Sequence, residues 1–228
     1  MSAGRSARYA SRLQSRPQAP RESVKPGLWP LGVDDERDGL LYVPTTYRAD
    51  QPAPLILVFH GARGNEQRGM ALLRDFADIR GLLLVAPASR GETWDALLEG
   101  FGPDVDYVDA ALYTTFERCA VDASRLAVAG FSDGASYALA LGLPNGDLFT
   151  NIMAFSPGFA PPLVRRGETK LFISHGTEDG VLPIDVCSRT IVPMIQGAGY
   201  DVTYREFEGA HTLPPDVANE ALDWFLTE

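Results

Sequence analysis

The chain has 228 residues, 45% of them hydrophobic, and a formal net charge of -10. That length and apolar content suit one large packed α/β domain and exclude a disordered chain. The acidic balance, without any Lys/Arg block, excludes a nucleic-acid partner, because such binding rests on neutralising phosphates.

Residues 1–24 read as an N-terminal segment, either partly mobile or adding a short edge strand at Arg12–Arg16, ahead of a single domain over 25–228. The segment has scattered arginines but no apolar stretch, which predicts no secretory signal. "DDERDG" (34–39) spaces its carboxylates like a calcium loop, but Thr45 stands at the twelfth position, where glutamate is needed, so a hairpin turn is expected. "GLLYVP" and "PAPLILVFHG" (52–61) follow as strands, the second fully buried because its apolar run does not alternate. Apolar positions Met70, Leu72, Leu73, Phe76 and Ile79 predict one helix closed by Gly81.

"LLLVAP" (82–87) is the next buried strand, and a loop with Trp94 leads to a helix over 105–118. Strand 125–130 and helix 133–143 come next, then strands 151–155 and 170–174, helix 184–196, strand 201–207 and helix 214–226. Strands alternating with helices predict a mostly parallel sheet covered on both faces. Residues 156–169 are too few and too rich in Pro and Gly for a helical cap, so no cap domain is expected.

In such sheets reactive groups gather beyond the carboxyl ends of the strands, and all three histidines, His60, His175 and His211, fall there. "GFSDG" (130–134) stands where a buried strand becomes a helix. A serine hydroxyl needs exposure and a neighbouring base, and glycines two before and two after relieve the crowding of such a turn, which points to Ser132 as a nucleophile. An acid and then a histidine are expected later in the chain, each at a strand end. His211 fits the base. Asp179 fits the acid best, in the turn Glu-Asp-Gly, with Glu178 and Asp185 close by as alternatives. The amides of Asp133 and Ala62 are the expected oxyanion donors, with Arg63 as second choice to Ala62. Trp94, Phe155, Phe159 and Leu182 lie in strand-end loops and are candidates to line a substrate pocket. His60 is expected to shape its own loop by hydrogen bonding.

"FHGARGN", "GFSDGASYAL", "HGTEDGVLP" and "GAHTLPP" together resemble the α/β-hydrolase superfamily. Within it they are similar to small bacterial esterases of the phospholipase/carboxylesterase type, with some likeness to polyhydroxyalkanoate-depolymerase-like esterases. The resemblance covers roughly residues 38–228. It implies Ser132 as nucleophile, Asp179 as acid, His211 as base, and no cofactor or metal. The expectation is thus a serine carboxylesterase acting on a small-molecule ester, preferring short acyl groups. Lysophospholipase and thioesterase activity on the same triad are the alternatives, and a non-catalytic binding protein of the same fold is the rival. Asp133 stands where the family usually has glutamine, and Phe155-Ser156-Pro157-Gly158 where it usually has Ser-Gly.

Cys119 and Cys187 have no metal-like spacing and predict buried thiols in a reducing, cytoplasmic setting. No apolar run approaches the ~20 residues of a membrane span. A homodimer is left open.

Overall fold

The computed structural model describes residues 11–98, 100–161 and 166–227. Its strands are β1 (Gly27–Pro30), β2 (Leu40–Val43), β3 (Ala53–Phe59), β4 (Leu83–Ala86), β5 (Val121–Phe131), β6 (Asn151–Phe155), β7 (Lys170–Gly176) and β8 (Val202–Phe207). Between them lie α1 (Glu66–Ala71), α2 (Arg74–Arg80), α3 (Pro103–Arg118), α4 (Asp133–Gly142), α5 (Ser188–Gly197) and α6 (Pro215–Thr227). The described strands form one sheet in the order β1-β2-β4-β3-β5-β6-β7-β8. The β1–β2 and β2–β4 pairings are antiparallel and the rest parallel.

The continuous apolar run of β3 is explained by burial on both sides. Leu55, Leu57 and Phe59 enter one core with α3, α4 and α5, whereas Ile56 and Val58 enter a second with α1, α2 and α6. Because side chains alternate along a strand, a central strand between two cores must be apolar at every position. This is the α/β-hydrolase architecture expected from the sequence. The described residues between β6 and β7 form no helix.

Three elements depart from expectation. The helix expected across residues 65–81 is two, because the chain turns at Leu72 and Leu73. Met70, Leu73 and Ala77, from the two helices and the turn between them, are buried in one core. Gly81 does end the second helix, in the left-handed conformation with φ 65°. Helix α5 starts at Ser188 instead of residue 184.

The sheet edge is also different. Arg12–Arg16 form no strand; the edge is β1, whose Leu28 and Trp29 are exposed and whose apolar pattern therefore gave no core signal. Pro30 is tolerated there because an edge strand does not need every N–H. Residues 12–16 instead lie along the surface. Leu13 is buried and donates its N–H to Asn145 Oδ1 at 3.0 Å, while Arg12 and Arg16 pair with Asp147 and Ser15 holds Asp109. The exposed ion pairs add little, and burial of Leu13 holds the segment. Residues 1–10, the rest of that expectation, lie outside the described residues.

Asp95 and Asp104, at the start of α3, cap one another. Asp95 Oδ2 accepts the Asp104 N–H and Asp104 Oδ2 accepts the Asp95 N–H, both at 2.8 Å. Burial, and then the charge of Asp104, push the Asp95 carboxyl up to about 6. Its Oδ1 is buried without a partner. A carboxyl that is harder to ionise when folded binds more protons in the native state, so its contribution to stability falls as pH rises from about 4 through about 6. Asp95→Asn keeps an oxygen for the Asp104 amide and removes the charge. Its melting temperature is expected to exceed that of the parent chain at pH 7.5, with the gain shrinking toward pH 4 in a thermal-shift series. A gain that is the same at both pH values would contradict this account.

Candidate active site

The site begins with one backbone turn. Ser132 follows β5 with φ 58° and ψ -123°, a conformation that a side-chain-bearing residue adopts only under constraint, at a cost of about 1–3 kcal/mol. The flanking glycines show what holds it. A Cβ on Gly130 would lie 2.2 Å from the Gly134 carbonyl oxygen, and one on Gly134 would lie 2.3 Å from that of Phe59. Strand, turn and helix therefore touch backbone to backbone. The Ser132 N–H donates to Phe155 O at 2.9 Å, and its carbonyl accepts from Ala135 and Ser136. The hydroxyl is left at the surface of the turn, on a residue 8% exposed.

Two further loops bring partners to it. A Cβ on Gly176, at the end of β7, would lie 2.4 Å from Gly209 O, so the loops after β7 and β8 can only meet because residue 176 is glycine. They are joined by Thr177 N–H to Phe207 O and Glu178 N–H to Gly209 O, at 2.8 and 2.9 Å. This seats His211 between Asp179 and Ser132. Its Nδ1 is 2.6 Å from Asp179 Oδ2 and its Nε2 is 2.9 Å from Ser132 Oγ. A carboxylate only accepts, so Nδ1 carries the proton and Nε2 is free to accept from the serine hydroxyl.

Asp179 is buried, which pushes its carboxyl up. The N–H of Leu182, the His211 ring and the N–H of Val181 outweigh that and hold it below the ordinary carboxylate value. The two alternative acids are elsewhere: Glu178 is exposed and Asp185 pairs with Arg189 at 2.6 Å.

A third loop, after β3, lies against the serine. A Cβ on Gly61 would lie 3.3 Å from Ser132 Cβ. Among the described residues the amides of Ala62 and Asp133 have no acceptor, whereas that of Arg63 donates to Glu92 O at 2.7 Å. Arg63, the second choice, is thus committed elsewhere. His60 shapes this loop as expected: Nδ1 is 2.8 Å from Gly61 O and Nε2 accepts the Ser89 N–H at 3.0 Å. Burial lowers its pKa and favours the neutral ring those partners require.

The four pocket candidates divide. Trp94 is fully buried, stacked on Tyr137 with ring centroids 4.7 Å apart, and its Nε1–H donates to His60 O. It braces the loop from behind and cannot wall a substrate. Phe155 is also fully buried and faces the core under α6. Both corrections have one cause: each element end carries a side chain inward as readily as outward, and only packing decides which. Phe159 and Leu182 remain partly exposed. They are drawn together by Ser136, whose Oγ accepts the N–H groups of Gly158 and Phe159 at 2.9 and 3.3 Å, and by Leu182, which reaches within 3.2 Å of where a Gly158 Cβ would stand.

Sequence reading missed Phe131, whose ring lies 4.7 Å from that of His211, although its place beside the serine was a usable signal. It also missed Thr93, whose hydroxyl donates to Asp133 Oδ2 at 2.6 Å; no spacing announced that contact. A cavity of about 390 Å³ lies beside the β3 loop, lined by Arg37, Asp38, Gly64 and Asn65 among others, and none of the Ser132, His211 and Asp179 side chains faces it. Among the described residues no His, Cys, Asp and Glu cluster is placed to hold a metal.

The model of the phospholipase/carboxylesterase family matches residues 104–226, which carry the serine, the acid and the histidine. The chain belongs to this family. It is 27% identical over 160 residues to the probable feruloyl esterase C of Aspergillus oryzae (strain ATCC 42149 / RIB 40), a match covering 66% of this chain and 58% of that protein. The homologous Aspergillus flavus protein matches equally. The match thus spans little more than half the length of these curated relatives.

Solved esterases share the family fold. Esterase PE8 superposes with TM-score 0.67 at 20% identity, covering 83% of this chain and 97% of its own. The acetyl xylan esterase from Aspergillus awamori gives 0.69 at 15% identity, covering 89% and 100%. A ferulic acid esterase from Anaeromyces mucronatus gives 0.63 at 18%, covering 91% and 95%. No helix among the described residues is long and apolar enough to cross a membrane.

The elbow makes a stability prediction. Gly130→Ala is expected to cost about 1–3 kcal/mol as an overpacked site, lowering the melting temperature by roughly 2–12 °C for a chain of this size. Gly197→Ala, whose Cβ would meet nothing within 4 Å, is expected to leave it unchanged or raise it slightly. Differential scanning calorimetry of the two variants checks the contrast.

Proposed function

We propose that this protein is a carboxylic ester hydrolase that works through an acyl-enzyme on Ser132. The single observation that supports this most is the hydrogen-bonded series Ser132 Oγ, His211 Nε2, His211 Nδ1 and Asp179 Oδ2, held at 2.9 and 2.6 Å on a strained strand-to-helix turn. Membership of the phospholipase/carboxylesterase family supports it independently.

In this reading the serine oxygen attacks the ester carbonyl while its proton passes to His211 Nε2. The oxygen of the tetrahedral adduct takes the negative charge and is met by the amides of Ala62 and Asp133, the second at the start of α4 where the helix dipole adds to it. The imidazolium, stabilised through Nδ1–H by Asp179, then protonates the leaving alcohol as the C–O bond breaks. Water repeats the sequence on the acyl-enzyme: His211 takes its proton, the hydroxide attacks, and Ser132 leaves protonated. No redox or metal step is needed to balance the reaction.

Phe159 and Leu182, with Phe131 beside the base, form the apolar surroundings of the serine and are the proposed acyl contacts. The described residues provide no cap to enclose a long chain. At about 0.8 kcal/mol per buried methylene, an acyl group gains only over the length that is covered. Of the relatives' names, acetyl xylan esterase agrees with a short acyl group, whereas feruloyl esterase names a larger aromatic one. We further propose that the protein acts as a soluble cytoplasmic enzyme.

Ser132→Ala is expected to lower kcat by several orders of magnitude, up to about a millionfold, with the melting temperature unchanged and fluorophosphonate labelling lost. Retention of more than a few per cent of parental turnover would remove Ser132 from its role. In a p-nitrophenyl ester series, kcat/KM is expected to peak at two to six carbons; a peak at twelve or more would favour a lysophospholipase-like activity, and a preference for a parallel thioester a thioesterase. Thr93→Val is expected to reduce kcat about 3- to 30-fold with little change in KM, because it frees the Asp133 side chain beside an amide used only in the transition state. Steady-state kinetics on the preferred ester measures the split.

A further inference from the structure

His175 is fully buried at the end of β7 and plays no part in the proton transfers above. Its ring nonetheless stands between the acid turn and α5. Nε2 is 2.8 Å from Leu182 O and 3.2 Å from Asp179 Oδ2, and Nδ1 is 2.7 Å from Ser188 Oγ. A carbonyl and an ionised carboxylate both only accept, so Nε2 must carry a proton. Burial keeps the imidazole below its ordinary pKa and hence neutral, which leaves Nδ1 as the acceptor and Ser188 as the donor.

Leu182 closes the arrangement from the other side. Its N–H donates to Asp179 Oδ1 at 2.8 Å while its carbonyl accepts from the His175 Nε2–H. The carboxylate is thus held at Oδ1 by the Val181 and Leu182 amides and at Oδ2 by His211, with the edge of the His175 ring 3.2 Å from Oδ2. The other ionisable groups near this ring are Glu206, its register partner on β8, which Arg189 pairs, and the buried Cys187 beside Ser188.

We propose that His175 is a positioning residue for the acid: its Nε2–H, set by the Ser188 hydroxyl, holds the Leu182 carbonyl and with it the Leu182 N–H on Asp179 Oδ1, which keeps Oδ2 aimed at His211. The proposal rests on reading Ser132, His211 and Asp179 as catalytic. The need for such a device is geometric. Asp179 is on a loop after β7 and His211 on another after β8, and a carboxylate released by the Leu182 amide would be free to turn away from Nδ1. A neutral donor restrains the acid turn without cancelling the charge that the His211 imidazolium needs. A cation at the same place would compete for that charge.

The test uses His175→Phe, which keeps the ring volume and removes the donor, and His175→Gln, whose side-chain N–H stands at the same number of bonds from Cβ. His175→Phe is expected to lower kcat about 3- to 10-fold, the loss of one hydrogen bond that orders the acid turn, with KM little changed. His175→Gln is expected to recover most of it. The low-field proton resonance of the Nδ1–H between His211 and Asp179, read on the free protein, is expected to shift or broaden in His175→Phe and to return in His175→Gln. Parental kcat and an unchanged resonance in folded His175→Phe overturn the proposal. So does a loss of kcat that Gln fails to recover while both variants show the same lowered melting temperature, since that marks a packing role. If His175→Phe does not fold, Ser188→Ala takes its place, with an expected kcat loss of about 3- to 10-fold; no loss overturns the proposal. Failure of the parent chain itself to react with a fluorophosphonate removes the catalytic reading first, and this one with it.

Discussion

Everything at the site depends on a backbone contact that leaves no room for side chains. Gly130, Gly134 and the carbonyls of Phe59 and His60 pack so closely that any Cβ would overlap an oxygen. This contact fixes the angle between β5 and α4, and that angle is what forces Ser132 to φ 58°. The strain is local, but the restraint is shared by the two most central strands and α4. A turn held this way cannot relax without separating β3 from α4, so the hydroxyl stays presented.

The same economy of side chains recurs where the other two groups are brought in. Gly176 lets the loop bearing His211 lie directly on the end of β7, and Gly61 lets the β3 loop lie beside Ser132. In each case a glycine substitutes backbone approach for side-chain packing, and hydrogen bonds between loops then fix the spacing. The side chains of Ser132, Asp179 and His211 come from loops far apart in sequence, yet each is tied to a strand end of one sheet. In the proposed mechanism, preorganisation of this kind lets donors and base act without reorganising as charge develops.

The surroundings of the site are built by groups that do no chemistry themselves. Trp94, Tyr137 and Phe59 stack under the β3 loop, and His60 ties it to Ser89. Thr93 reaches the Asp133 carboxylate from the same segment. That segment is anchored in turn by the reciprocal Asp95–Asp104 caps at the start of α3. Family membership accounts for the fold, whereas in the proposed function the choice of ester would depend on this segment and on the residues around Phe159 and Leu182.

What the sequence determined by itself was local and periodic. The continuous apolar runs of β3, β4 and β7, the helical spacing of α3 and α6, and Gly81 as a stop were legible because each depends on neighbours a few positions away. That Ser132, Asp179 and His211 would come together was legible because their order and their places at strand ends are chain properties. The tertiary structure alone decided the rest. It split the helix at Leu72 and Leu73, and it put the edge at β1, where exposed Leu28 and Trp29 carry no periodic signal. It turned Trp94 and Phe155 inward, and it placed His175 behind the acid. Which way a side chain at an element's end points is set by contacts from segments tens of residues away, and no spacing along the chain encodes those contacts.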